Sequence, residues 1–190
     1  MFPLVRTDAQ ARLLGVLFDR PGQKLPLGEV ARRAGVPPST ASKEISRLVD
    51  DGLVLSEAMG RMRIVQANWD LPWSGELATI LDHTVGLVGS IAEALRPLRG
   101  IEAAFIFGSW AARRAGQPGP DPVDVDVIII GAPDREGVRS ALRPLEAHLD
   151  RHIDPTIVTP DRWADEDDPF VATVRERPLV PVLGQPVPGA

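Results

Sequence analysis

The sequence predicts an α+β fold in two parts joined by a linker helix. Three observations carry this reading. Apolar positions recur at helical spacing through residues 8–51, and two short strand-like runs about a glycine turn follow them. Residues 75–98 hold one long helical pattern. From residue 101 onward strands and helices alternate, as in an α/β segment built on a mixed sheet.

Residues 8–19 read as a helix. Ala9, Leu13, Leu14, Val16, Leu17 and Phe18 form its apolar face, Thr7 or Asp8 stands at its cap, and Pro21-Gly22 breaks it. A second helix over 27–34 places Leu27, Val30, Ala31 and Ala34 on one side and ends at Gly35, which tolerates the left-handed conformation. A third helix starts at Pro37-Pro38, with Ser39-Thr40 as its capped start, and runs to Asp51. Ala41, Ile45, Leu48 and Val49 point inward, and Gly52 stops it. Residues 53–56 and 62–66 read as strands around Met59-Gly60-Arg61.

Residues 67–74 form a connector containing Pro72. The helix over 75–98 repeats Leu77, Ile80, Leu81, Val85, Val88, Ile91 and Leu95 every three or four residues. Gly86 and Gly89 each lower its intrinsic helicity by about 1 kcal/mol relative to Ala, or else admit another helix closely. It is either an inter-domain spacer or dimer helix, or an ordinary packed helix. Strands are expected at 101–107, 123–130 and 153–158. An amphipathic helix over 135–152 turns Val138, Leu142, Leu145 and Leu149 inward. Short helices are expected at 161–165 and 170–175. Residues 179–183 suit an edge strand, because Pro178 and Pro181 withhold ladder donors. A loose tail follows Gly184.

The 190 residues suffice for two small domains. The boundaries read from the pattern are 1–66, 67–100 and 101–190. Hydrophobic content of 44% and charged content of 25% are those of an ordinary globular chain. No apolar run approaches the length of a membrane span, the first residues lack a signal-peptide core, and there is no cysteine for disulfides or thiolate-bound zinc. A cytoplasmic location with no membrane partner is expected. Residues 1–66 carry ten Lys/Arg against seven Asp/Glu, a charge of +3. The remainder carries eleven against nineteen, or −8, which accounts for the −5 of the whole chain. That asymmetry suggests separate partners for the two parts.

The N-terminal order of three helices, a glycine-containing turn and a β-hairpin is the layout of a winged helix-turn-helix. The run EVARRAGVPPSTASKEISRLVDDGLV resembles prokaryotic winged-helix regulators of the ArsR/MarR-like kind, over residues 8–66. The resemblance implies that residues 38–50 form a recognition helix for double-stranded DNA. Ser39, Thr40, Ser42, Lys43 and Arg47 would meet the major groove or the phosphates, and Gly60, Arg61 and Arg63 would form the wing tip. The cationic contacts are few, so a homodimer would double a modest phosphate interaction. The alternative is a dimerisation or protein-docking module.

The second informative stretch is AAFIFGSWAARRAGQPGPDPVDVDVIIIG, residues 103–131. In a strand Asp124 and Asp126 point to one face while Val123, Val125 and Val127 point to the other. Neighbouring carboxylates repel unless a cation lies between them, and Mg²⁺ shared with phosphates is the usual resolution. The stretch resembles the nucleotidyltransferase superfamily related to DNA polymerase beta, especially its minimal branch. A hydrophobic strand, Gly108-Ser109, a short helix and loop, then Asp124/Asp126 match that signature, and Asp154 fits its third acid.

The resemblance implies that Asp124, Asp126 and Asp154 are catalytic and metal-binding, with Asp154 holding a second ion or serving as base. It also implies that Gly108, Ser109, Arg113 and Arg114 hold the phosphates of a nucleoside triphosphate (NTP). Trp110 either flanks the nucleotide or packs in the core. Two departures stand out: Val123 where the family often has Ser, and a loop of fourteen residues between Ser109 and Asp124. Asp121 reads as a turn residue, the run Asp165–Asp168 as a solvated loop, and the histidines as structural or surface residues.

The expected function is a DNA-binding transcriptional regulator whose nucleotidyltransferase-like domain binds Mg-NTP and transfers a nucleoside monophosphate to a hydroxyl, enzymatic turnover being left open. The acceptor is a protein side chain, a small molecule or an RNA end. The alternatives are an adenylylating antitoxin-type transferase with a protein acceptor and an inactive nucleotide sensor.

Overall fold

The computed structural model describes residues 5–120, 122–149 and 151–184. The expectations for Asp121, for the His148 side chain and for the tail after Gly184 fall outside them. The chain forms two compact units, divided between Leu87 and Val88. Among the described residues no helix is long and apolar enough to cross a membrane.

The first unit opens with α1 (Asp8–Phe18), capped by Thr7, whose hydroxyl accepts from the Gln10 amide at 3.1 Å. β1 (Leu25–Pro26), α2 (Leu27–Arg33) and α3 (Pro38–Asp50) follow. Gly35, at φ +60°, makes the turn between α2 and α3. The expected side-chain cap of α3 is absent. Pro37 occupies the cap position without a side-chain bond, and Pro38, lacking an N–H, removes one of the donors that a cap would have satisfied.

β2 (Val54–Met59) and β3 (Met62–Ala67) form the hairpin. β1 adds antiparallel to β3, giving a three-stranded sheet in the order β1-β3-β2. The sequence reading missed β1, which is two residues long and half proline. The core joins Leu13, Leu14, Leu17 and Phe18 of α1 to Val30, Ala41, Ile45 and Leu48, and to Val54 and Val65 of the sheet.

The single linker helix expected over 75–98 is corrected. It is two helices, α4 (Ser74–Thr84) and α5 (Leu87–Leu95). The amides of Val85 and Gly86 both donate to the Leu81 carbonyl, at 2.9 and 2.7 Å, which ends α4. A Cβ at Gly86 would stand 2.7 Å from the Asp82 Cα, so the tight turn requires glycine. Leu77, Ala78 and Leu81 of α4 belong to the first unit's core. Val88, Ile91 and Leu95 of α5 are buried within the second unit's span.

The second unit holds a mixed four-stranded sheet in the order β6-β5-β4-β7. β4 (Ile101–Phe107) runs antiparallel to β5 (Asp124–Gly131), and α6 (Gly108–Arg114) begins where β4 ends. α7 (Arg135–Leu149) carries the chain from β5 to the parallel strand β6 (His152–Val158), the crossover that parallel neighbours require. His152 therefore opens a strand and does not close the helix as expected. α8 (Pro160–Ala164) and α9 (Pro169–Arg175) precede β7 (Val180–Leu183), an edge strand antiparallel to β4.

Ala103, Phe105, Ile128, Ile130 and Val158 make one face of the sheet and pack on Trp163, Val171 and Val174. Val125, Val127 and Ile129, buried on the other face of β5, complete a central strand hidden on both sides. Ile129 has no exposed surface, and Ile129→Ala is expected to cost about 3 kcal/mol, read as a lowered urea midpoint.

Candidate nucleic-acid interface and candidate nucleotide site

In the first unit Ser39, Lys43 and Arg47 recur every four residues on α3, which places them on one face of that helix; all three are exposed, as is Ser42. Thr40 is half-buried. Arg61 is exposed in the turn after Gly60, which takes φ +60° there. Met59 and Met62 flank it, both more than half exposed.

Arg63, expected with Gly60 and Arg61 at the wing tip, is the second residue of β3 and pairs with Ala58. Its Nε donates to the Ser56 hydroxyl at 2.9 Å and its Nη1 to the Ser46 hydroxyl at 3.0 Å. Ser46 in turn donates to the Ser42 carbonyl at 3.0 Å. Arg63 thus ties the wing to α3. Ser46 went unnoticed in the sequence because its role depends on a partner seventeen residues away. Between the wing and the starts of α2 and α3 lies a cavity of about 430 Å³, bounded by Leu27, Ala31, Pro38, Arg61 and Met62.

In the second unit the pairing of strands brings the three acids together. Asp126 of β5 stands beside Asp154 of β6 in parallel register and opposite Phe107 of β4. Residues paired in this way project to the same face, so Asp154, Asp126 and Phe107 form a row, with Asp124 one pleat along. Asp124 and Asp154 are exposed and Asp126 is half-buried. Burial pushes the Asp126 carboxyl up from its ordinary value of 3.8, and the charges of Asp124 and Asp154 push it further.

Gly108, at φ +71°, touches this row directly. A Cβ there would lie 2.1 Å from Oδ2 of Asp126. The absence of a side chain at Gly108 is therefore what makes room for the acid. Ser109 is exposed in the first turn of α6. Arg113 and Arg114 are half-buried in its last turn, about 8 Å along the axis from Gly108. The Arg113 guanidinium lies against Gly119, where a Cβ would meet its Nη1 at 1.9 Å. Its Nε and Nη1 are shielded from solvent, with no hydrogen-bond partner among the described residues. The strand register groups the acids with Gly108, while Arg113 packs beneath the glycine-rich loop.

Trp110 is buried, which favours its packing role. In the acidic run Asp165, Glu166 and Asp167 are exposed as expected. Asp168 instead caps α9 through the amides of Phe170 and Val171 and pairs with Arg162 at 2.7 Å. His152 is exposed and meets Glu146 at 2.5 Å.

The donor chemistry at the acidic row suits a hard cation: carboxylate oxygens carrying negative charge without compensation from one another. Among the described residues no three His, Asp or Glu side chains converge into a ready-made metal cage. The row is therefore a partial donor set. Mg²⁺ is commonly held by one or two carboxylates while phosphates and waters complete the shell.

Three helices, the turn at Gly35 and the three-stranded wing define the first unit as a winged helix-turn-helix. Residues 6–61 match the family model described as MarR family, and this segment is a MarR-family winged-helix domain. The structure of a double mutant of ZitR from Lactococcus lactis is similar at 18% identity and a TM-score of 0.35, over 46% of this chain. The chain spans 61% of that structure's length. No curated protein matches the chain.

The raised Asp126 carboxyl has a consequence for stability. The folded state holds this proton more tightly than the unfolded chain does, so stability falls as pH rises from 3.8 through the raised folded value. At neutral pH the ionised group costs stability. Asp126→Asn is expected to raise the melting temperature at pH 7.5, and the gain should vanish near pH 3, where the carboxyl is protonated in both states. Thermal melts at the two pH values check it.

Proposed function

We propose that the chain is a DNA-binding transcriptional regulator whose second unit binds a magnesium–nucleoside triphosphate at Asp124, Asp126 and Asp154. The observation that carries the first part is the MarR-family match over residues 6–61, on a fold that exposes Ser39, Lys43 and Arg47 along one helix face. α3 enters the major groove, Ser39, Thr40 and Ser42 donate to phosphates or base edges, and Lys43 and Arg61 neutralise phosphates. Two copies read two half-sites, which doubles the few cationic contacts each chain offers.

The reading is tested by the retardation of DNA from upstream of its own coding sequence. Lys43→Ala and Arg61→Ala should each weaken binding alike on all sequences and lower the salt slope by about 1. Unchanged binding in both variants would overturn their assignment.

Support for the nucleotide site comes from the register that aligns Asp126 with Asp154 beside Gly108 and the start of α6. A bound Mg²⁺ would offset the carboxylate charges and orient the triphosphate. Ser109 would donate to a phosphate oxygen. Titration calorimetry with Mg-ATP and Mg-GTP should show metal-dependent binding that Asp124→Asn/Asp126→Asn abolishes. Absence of binding by the wild type would reject the nucleotide reading and leave the DNA reading intact.

A second reading is nucleotidyl transfer, favoured by the place of Asp154 beside Asp126. Asp154 takes the proton of an acceptor hydroxyl, the new oxygen–phosphorus bond forms at the α-phosphate, and pyrophosphate leaves. Nucleotide label incorporated into a protein, RNA or small-molecule acceptor distinguishes this from sensing alone.

A further inference from the structure

Two polar side chains in the core of the first unit have no part in the contacts described so far. Gln10 of α1 is 1% exposed and Glu44 of α3 is 5% exposed. A carboxylate out of water is costly unless its oxygens are hydrogen-bonded. Here both oxygens are engaged. Oε2 of Glu44 accepts from Nε2 of Gln10 at 2.9 Å, and Oε1 accepts from Nη1 of Arg47 at 2.9 Å. The chain of bonds continues behind them, where Oε1 of Gln10 accepts from the Arg6 amide at 2.8 Å. The backbone at the start of α1 is thereby connected through two buried side chains to a guanidinium on the exposed face of α3.

An ordinary surface pair three residues apart on a helix holds neither partner firmly. This pair differs because its acid is buried and anchored from another helix. Arg47 is 44% exposed, held on one side by Glu44 and open to solvent on the other. A guanidinium held in a set direction suits bidentate contact with a base edge, which demands a fixed fork. Phosphate contact places no such demand.

We propose that Gln10 and Glu44 are positioning residues that aim Arg47 at a base edge, which makes Arg47 a specificity-determining residue of the DNA interface. The proposal rests on the DNA-binding reading above. Replacing a buried ionic or polar pair by apolar side chains of similar volume is often neutral or stabilising, so stability and aim can be separated by experiment.

The test is selection of duplexes from a random-sequence library by the full-length chain. Wild type is compared with Gln10→Met/Glu44→Met, Arg47→Ala and the triple variant, and the melting temperature of each is recorded. Arg47→Ala should lower discrimination at one base pair of the selected site about tenfold. Gln10→Met/Glu44→Met should lower it at the same base pair although Arg47 is present, while melting temperature and affinity for unselected duplex are retained. Adding Arg47→Ala to that pair should then change discrimination less than about twofold.

If Gln10→Met/Glu44→Met melts early, Glu44→Gln replaces it. That variant keeps the side-chain size and should flatten the same base pair. Full discrimination in these variants overturns the proposal, as does a loss spread evenly over all base pairs in step with the melting temperature. A wild type that binds no duplex overturns the DNA-binding reading, and this proposal with it.

Discussion

Taking a carboxylate out of water is costly, and the two units meet that cost in opposite ways. In the first, Glu44 leaves solvent with both oxygens hydrogen-bonded, and the bonds cross from α1 to α3. Burial there is compensated and orders what it touches. In the second, the β5–β6 register brings Asp126 level with Asp154 and one pleat from Asp124, and Gly108 closes over its oxygen. Burial and neighbouring charge both act against ionisation of Asp126. A fold selected for stability alone would separate these charges. Their alignment holds the Asp126 carboxyl above its ordinary value, and a cation seated there, as proposed above, would relieve the repulsion. Gly108, at φ +71°, and the start of α6 lie beside this acid, at the end of β4.

Much of this architecture was legible in the sequence, because its signals are local. Leu13, Leu17, Ala41, Ile45 and Leu48 fall at helical spacing and are buried. Gly35, Gly52 and Gly60 mark turns and take positive φ. Asp124 and Asp126 alternate with Val125 and Val127, so the facing of β5 followed from period two alone. The acids' shared edge was legible only through the resemblance, since parallel pairing with β6 joins residues nearly thirty positions apart.

Where the sequence misled, the deciding contact was distant or the signal too short. β1 is a two-residue strand containing Pro26, beneath any periodicity. The apolar repeat runs unbroken from Leu77 to Leu95, so nothing in it marks the turn at Val85-Gly86, which depends on Gly86 fitting against Asp82. Glu44 carries no sign of its role in the sequence, since its partner Gln10 stands thirty-four positions earlier. Arg63 reads as a wing cation, and its bond to Ser46, seventeen positions earlier, shows only in the fold. Long polar side chains declare their partners only in three dimensions, which is why the sites were less legible than the helices and strands.

The bond from Arg63 to Ser46 also bears on the DNA-binding reading proposed above. It ties β3 to α3 within the folded unit. In a reader that uses both elements, the two would meet the groove at a spacing this bond helps to hold. Mismatch between that spacing and the local groove is then accommodated by bending or narrowing of the duplex. Flexible steps such as TA and CA deform more readily than stiff A-tracts. On that reading, selectivity would extend to base pairs that no side chain reaches, through their mechanical compliance.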